Sequence, residues 1–187
     1  MEAKLKYESL NCWDLTFDKP LRKEESQDCV VPDTLPDIDR VLCTLGGLNI
    51  RSKDISAGRL RLEANIPARI VFCDENGGVH SMELNIPVYI SAEDESLGDG
   101  SLCCAELRLA ALETRLLNPR KVLARAEIIA DISCYSRSEP SWSNGVEDAE
   151  HIHVLLQPGE IIYVSAITEK TFALTDEQAL PSGLEAG

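Results

Sequence analysis

Positive charge is scarce in this chain. Eighteen Lys and Arg stand against 32 Asp and Glu, a formal net charge of −14 over 187 residues. Nucleic-acid binding needs clustered cations that displace phosphate counterions, so the balance argues against it, and an anionic membrane surface is disfavoured for the same reason. No apolar run approaches the length of a membrane span, and Met1–Lys6 carries no apolar export core. The chain is therefore expected to be made and first used in the cytoplasm. Aromatics make up only 5%, with Trp13 and Trp142 the two indoles. The seven cysteines are an odd number with no C-x-x-C spacing, which points away from a zinc or dithiol site and toward small buried hydrophobes. There is no G-x-S-x-G elbow, P-loop or G-x-G-x-x-G, so no cofactor and no catalytic constellation is expected. Histidine is limited to His80, His151 and His153. The last two share a strand face at chelating spacing, but no third ligand accompanies them, and no metal is expected. Asp74–Gly78 and Glu93–Asp99 offer oxygen ligands without the spacing of a calcium loop.

What the chain does carry is period-two alternation. Leu60, Leu62, Ala64, Ile66, Ala68, Ile70 and Phe72 alternate with Arg59, Arg61, Glu63, Asn65, Pro67, Arg69 and Val71. Met82, Leu84, Ile86, Val88 and Ile90 repeat the pattern, and Asp74–Gly78 between the two runs supplies residues suited to a turn with positive φ. A hairpin centred on Asn76 sets Ile66 opposite Ile86, Pro67 opposite Asn85 and Asn65 opposite Pro87. Proline lacks a ladder donor, so these positions should be non-hydrogen-bonded pairs, each on an arm that is an edge, bulged or unpaired there. A second alternating run, Val122 to Cys134, follows Asn118-Pro119. Residues 102–117 fit a helix by composition, but a tight turn into a clean strand favours a strand with a bulge near Ala111. Further strands are expected at 3–17, 27–31, 43–55, 151–157 and 161–173. Polar loops are expected at 91–101 and around Trp142 at 136–150, with a tight turn at Gln157–Gly159. The pattern predicts an all-β antiparallel β-sandwich or flattened barrel of about seven to nine strands. One domain over 1–179 would be followed by a linker at 180–187.

The most distinctive segment is Val31-Pro-Asp-Thr-Leu-Pro-Asp-Ile-Asp-Arg-Val41. Pro32 and Pro36 stiffen the backbone, and Asp37 is placed to cap a short helical turn over Ile38–Leu42. In order along the chain come this segment, the hairpin with its two Asn-Ile-Pro steps, Asn118-Pro-Arg-Lys-Val122 and Leu180-Pro-Ser-Gly183. Together, over roughly residues 5 to 183, they resemble the SPOCS domain family, the module of SipL-type spore coat and exosporium proteins. The resemblance implies a non-enzymatic structural or scaffolding module in spore-envelope assembly. Its partners would be other spore-envelope morphogenesis proteins, and its location the mother-cell cytoplasm and then the spore surface. Members often carry further copies or a peptidoglycan-binding LysM module. The motif residues Pro32, Asp33, Pro36, Asp37, Ile38 and Arg120 are the family-derived candidates for an interaction site. Trp142 joins them as an aromatic in a polar loop, a setting in which side chains anchor partners. Homo-oligomers built by edge pairing fit this reading. A rival, a carbohydrate-binding sandwich, requires a row of exposed aromatics for which only Trp142 and Trp13 are on hand.

Overall fold

A computed structural model describes residues 4–147, 153, 155 and 157–170. Among the described residues nine strands follow one another: β1 (Lys4–Ser9), β2 (Cys12–Val30), β3 (Arg40–Gly46), β4 (Asn49–Ser56), β5 (Arg59–Cys73), β6 (Val79–Glu93), β7 (Leu102–Asn118), β8 (Lys121–Ser138) and β9 (Ser141–Glu147). No helix occurs among the described residues, hence none long and apolar enough to cross a membrane. All pairing is antiparallel. One sheet runs β2-β8-β7; in the other, β5 carries β6 along its whole length while β3 and β4 share its remaining side in tandem.

The two sheets pack through the alternating faces. Leu60, Leu62, Ile66, Ile86 and Val88 meet Ala124, Ala126, Ile128, Ala130 and Ile132 in the main core. A smaller cluster of Cys29, Val31, Ile38, Ile70, Phe72, Met82 and Val122 closes one end. Burying each large aliphatic side chain contributes about 1.5–3 kcal/mol, so the two central strands, β5 and β8, supply most of the driving force. On the outside of the β2-β8-β7 sheet the pleat presents charge instead, including Arg108–Asp131 at 2.7 Å, Arg125–Glu24 and Lys121–Asp28 at 2.6 Å.

The hairpin register is the one its alternation requires, with Ile66 opposite Ile86 and Asn65 opposite Pro87. Because Asp74 donates to Gly78 O, the even-numbered pairs carry the ladder bonds and both prolines turn their nitrogens outward. Pro87 does so on the edge strand β6. Pro67 does so on the interior strand β5, where β3 ends at Gly46 and β4 begins at Asn49, so the second layer of pairing breaks where the donor is missing. The residues 102–118 form a strand, and its register shifts between Leu109 and Ala111. That bulge passes the inward face from Leu109 to Leu112.

Other expectations are corrected. Ile38–Leu42 is not a helical turn: Asp37 caps nothing, Ile38 N donates to Pro119 O (2.8 Å), and β3 starts at Arg40. The expected strand at 43–55 is two strands. The mostly polar residues 18–26, outside any expected strand, lie within β2, held by β8. Residues 141–147, expected as loop, form β9 against β1. Of 151–157, residues 151, 152, 154 and 156 lie outside the described residues, and 153, 155 and 157 are irregular. Of 161–173, the described part is irregular except for a bridge from Val164 to Trp13. Gln157–Gly159 is likewise irregular. The linker expected at 180–187 lies outside the described residues.

The β1–β9 pair extends the β2–β8 ladder. Ser9 lies opposite Ser141 and Cys12 opposite Ser138, the same register, interrupted only at Leu10–Asn11 and Glu139–Pro140. The result is a long ribbon whose tip stands clear of the core, with β1 exposed throughout.

Candidate interaction site

The motif residues converge on one guanidinium. After β2 ends, Val31 and Ile38 drop their side chains into the end cluster, 1% and 2% exposed, and the segment between them arches outward. Leu35 N donates to Pro32 O (2.9 Å), forming a turn at the crest. The arch leaves carbonyls pointing inward with no strand to receive them. Arg120, in the two-residue turn between β7 and β8, fills that hollow. Its Nη1 donates to Leu35 O (2.7 Å) and Asp37 Oδ1 (3.3 Å). Its Nη2 donates to Val31 O (2.9 Å), Pro32 O (3.1 Å) and Asp33 Oδ1 (3.1 Å). The planar fork of arginine suits this divided acceptor set, and a lysine ammonium does not. One backbone bond and one from a side chain complete the seam: Val31 N donates to Arg120 O (2.9 Å), and Asn118 Oδ1 accepts from Arg120 N (2.9 Å). Asn118 was visible in the sequence only as part of a turn.

Pro32, Asp33, Pro36, Asp37, Ile38 and Arg120 are thus brought together as a clasp across one end of the sandwich. Asp33 and Asp37 remain solvent-facing, and Asp39 is exposed with its N–H donated to Cys73 O (2.9 Å). The clasp can hold the loop in one shape and present a fixed acidic rim.

Trp142 lies elsewhere, at the base of the β1–β9 ribbon, one step beyond the Ser9–Ser141 pair. It is a half-buried strand residue of β9 opposite Glu8, not a loop residue. A shallow cleft there is lined by Trp142, Ser143 and Asn144 on one side and by Gln157, Pro158 and Ile161 on the other. Trp13, opposite Arg137, has its ring 5.4 Å from that guanidinium. Its ladder position is an odd number of steps from that of Trp142, so the pleat puts the two indoles on opposite faces. They do not form a row.

The oxygen-rich loops are self-satisfied. Asp74 accepts from Asn76 N and Gly78 N (both 2.8 Å) and lies 2.9 Å from His80 Nε2; the His80 bond, then that to Gly78, holds its carboxyl below the usual range. In the 91–101 loop, Leu97 plugs the core and Asp94 is lowered to about 2, chiefly by the hydroxyl and N–H of Ser96 and then by Lys19. No group of three His, Cys, Asp or Glu side chains placed to hold a metal occurs among the described residues. All seven cysteines are free thiols. Cys103 faces Cys134 across β7–β8, and burial, followed by its neighbour Cys134, pushes the Cys103 thiol up to about 12. Comparison with family models, with curated proteins and with solved structures found no match to this chain.

Proposed function

We propose that this domain is a non-enzymatic scaffolding module of the spore envelope, acting through protein–protein contacts. The observation that carries the reading is the clasp: two of the segments on which the SPOCS resemblance rests, 31–38 and the turn at Arg120, are neighbours in space. They build a rigid loop rather than a reaction centre. Such a loop suits a module whose task is to hold a surface in register for partners. The sandwich adds free backbone for association along β6, whose outer side pairs with no other described strand.

The test is localisation in a sporulating host. A fluorescent fusion of the chain should move from the mother-cell cytoplasm to the forming spore surface, and Arg120→Ala should weaken that recruitment. A fusion that stays diffuse throughout sporulation would refute the proposal. The carbohydrate reading loses its aromatic row but keeps one specific observation, the Trp142 cleft.

A further inference from the structure

We propose that the cleft beside Trp142 is a binding site for one sugar ring of a neutral glycan, a function separate from the scaffold contacts. The lining has a definite chemistry. An indole half-buried in β9 forms one wall, with Ile161 and Pro158 adding apolar surface. The polar groups are the hydroxyl of Ser143 and the exposed amides of Asn144 and Gln157. Among the described residues that line the cleft none is charged, and the nearest carboxylate on the ladder is that of Glu8, opposite Trp142.

That combination selects its ligand by exclusion and by fit. Phosphates and carboxylates find no cation among the described lining residues. A pyranose presents an axial C–H face that stacks on an indole and a rim of hydroxyls that both donate and accept. Side-chain amides carry donors and acceptors together, so Asn144 and Gln157 match such a rim. An apolar peptide would use the indole and leave the amides unpaired, at a cost for each polar group it covers.

The site sits on β9, whose place depends on β1 alone among the described strands, and on an irregular segment pinned by the Trp13–Val164 bridge. It is remote from Arg120, which lies at the opposite end of β8, so the two sites can be tested independently. With a single aromatic among the described lining residues and no second indole on the same face, one ring is held, and a ligand of that size binds with a dissociation constant of about 1 mM.

The experiment is saturation-transfer NMR on the full chain with cellotriose, laminaritriose and triacetylchitotriose. Each is supplied at about 10 mM, roughly ten times the expected dissociation constant. At least one triose should receive saturation through the C–H protons of one ring. Trp142→Ala should abolish the transfer, Trp142→Phe should retain part of it, and the Asn144→Ala/Gln157→Ala double variant should reduce it at least threefold. Trp13→Phe should leave it unchanged. Circular dichroism confirms folding of each variant, and the Phe and amide variants keep the test decisive if Trp142→Ala unfolds. Absence of transfer to the wild-type chain from all three trioses, or equal transfer to folded Trp142→Ala, overturns the proposal. Either result leaves the localisation test of the scaffold untouched.

Discussion

Replacing Arg120 with Ala should unfasten the end of the sandwich. Two of its five acceptors, Leu35 O and Val31 O, are part-buried at 2.7 and 2.9 Å, whereas Pro32 O and the two carboxylates face water. Charge-assisted hydrogen bonds in partly buried settings contribute about 1–1.5 kcal/mol each after solvent competition. Exposed ion pairs contribute about 0–0.5 kcal/mol each. The expected loss for Arg120→Ala is therefore about 2–4 kcal/mol, most of it from the carbonyls. For a chain of this size that lowers Tm by about 5–12 °C. Arg120→Lys keeps the charge but reaches one carbonyl at a time, and should recover less than half of the loss. Asp33→Ala and Asp37→Ala should each cost about 0.5 kcal/mol or less. Urea unfolding followed by circular dichroism gives all four values, and the Arg120→Ala cost should persist in 1 M salt. If the aspartate variants cost as much as Arg120→Ala, or if salt abolishes the effect, the clasp is an ion-pair network and the carbonyl argument fails.

In the β4–β5 turn Ala57 holds φ at +50° beside Gly58 at +75°; Ala57→Asn suits that left-handed position and should raise stability by about 0.5–1 kcal/mol, and no rise in the urea midpoint would contradict the strain. Pro87→Thr restores an outward donor on the free edge of β6 and should give concentration-dependent association in sedimentation velocity. Pro67→Thr, at the break between β3 and β4, should remain at the wild-type mass. The Asp94 carboxyl is lowered to about 2, so its stabilising contribution is complete above its ordinary value near 3.8 and disappears as pH falls through about 2. The Tm gap between wild type and Asp94→Asn should thus close at the acid end, and a gap unchanged from pH 6 to about pH 2 refutes the linkage. Exposed Cys43 should react with a maleimide in the native state well before Cys103 and Cys134, whose thiols burial pushes up. Mass spectrometry of partially labelled protein decides the order.

The legible parts of this fold were those in which one face is buried and the other wet. The β5–β6 register could be read to the residue because a slip of one would have turned Ile66 and Ile86 to solvent. The bulge in β7 followed from the same demand, since only an extra residue keeps both Leu109 and Leu112 inward. Strands formed by their partners rather than by their own pattern were not legible. Asp18–Gln27 is polar except for Pro20 and the core-packed Leu21 and extends because β8 supplies the ladder, and Ser141–Glu147 is a strand because β1 is there to pair with it. At the clasp, local capping logic assigned Asp37 to a helix. The winning partner was Arg120, 83 positions away, which no local rule addresses. The Trp142 cleft was half visible: the indole stood out, but Asn144 and Gln157 had nothing to mark them until the ribbon and the irregular segment met.

The long ladder between β2 and β8 has a consequence for how the chain reaches its native state. The β5–β6 and β7–β8 hairpins close over short turns, but β2 must return to β8 from on the order of a hundred residues away, as in the Glu24–Arg125 pair, 101 positions apart. Loop-closure entropy makes that docking late, so β8 spends part of folding with one flank open. At high concentration the β2 of another molecule competes for that flank. Refolding yield should then fall with concentration through strand-exchanged pairs, while synthesis from the N-terminus, which presents β2 before β8 emerges, favours the intramolecular match.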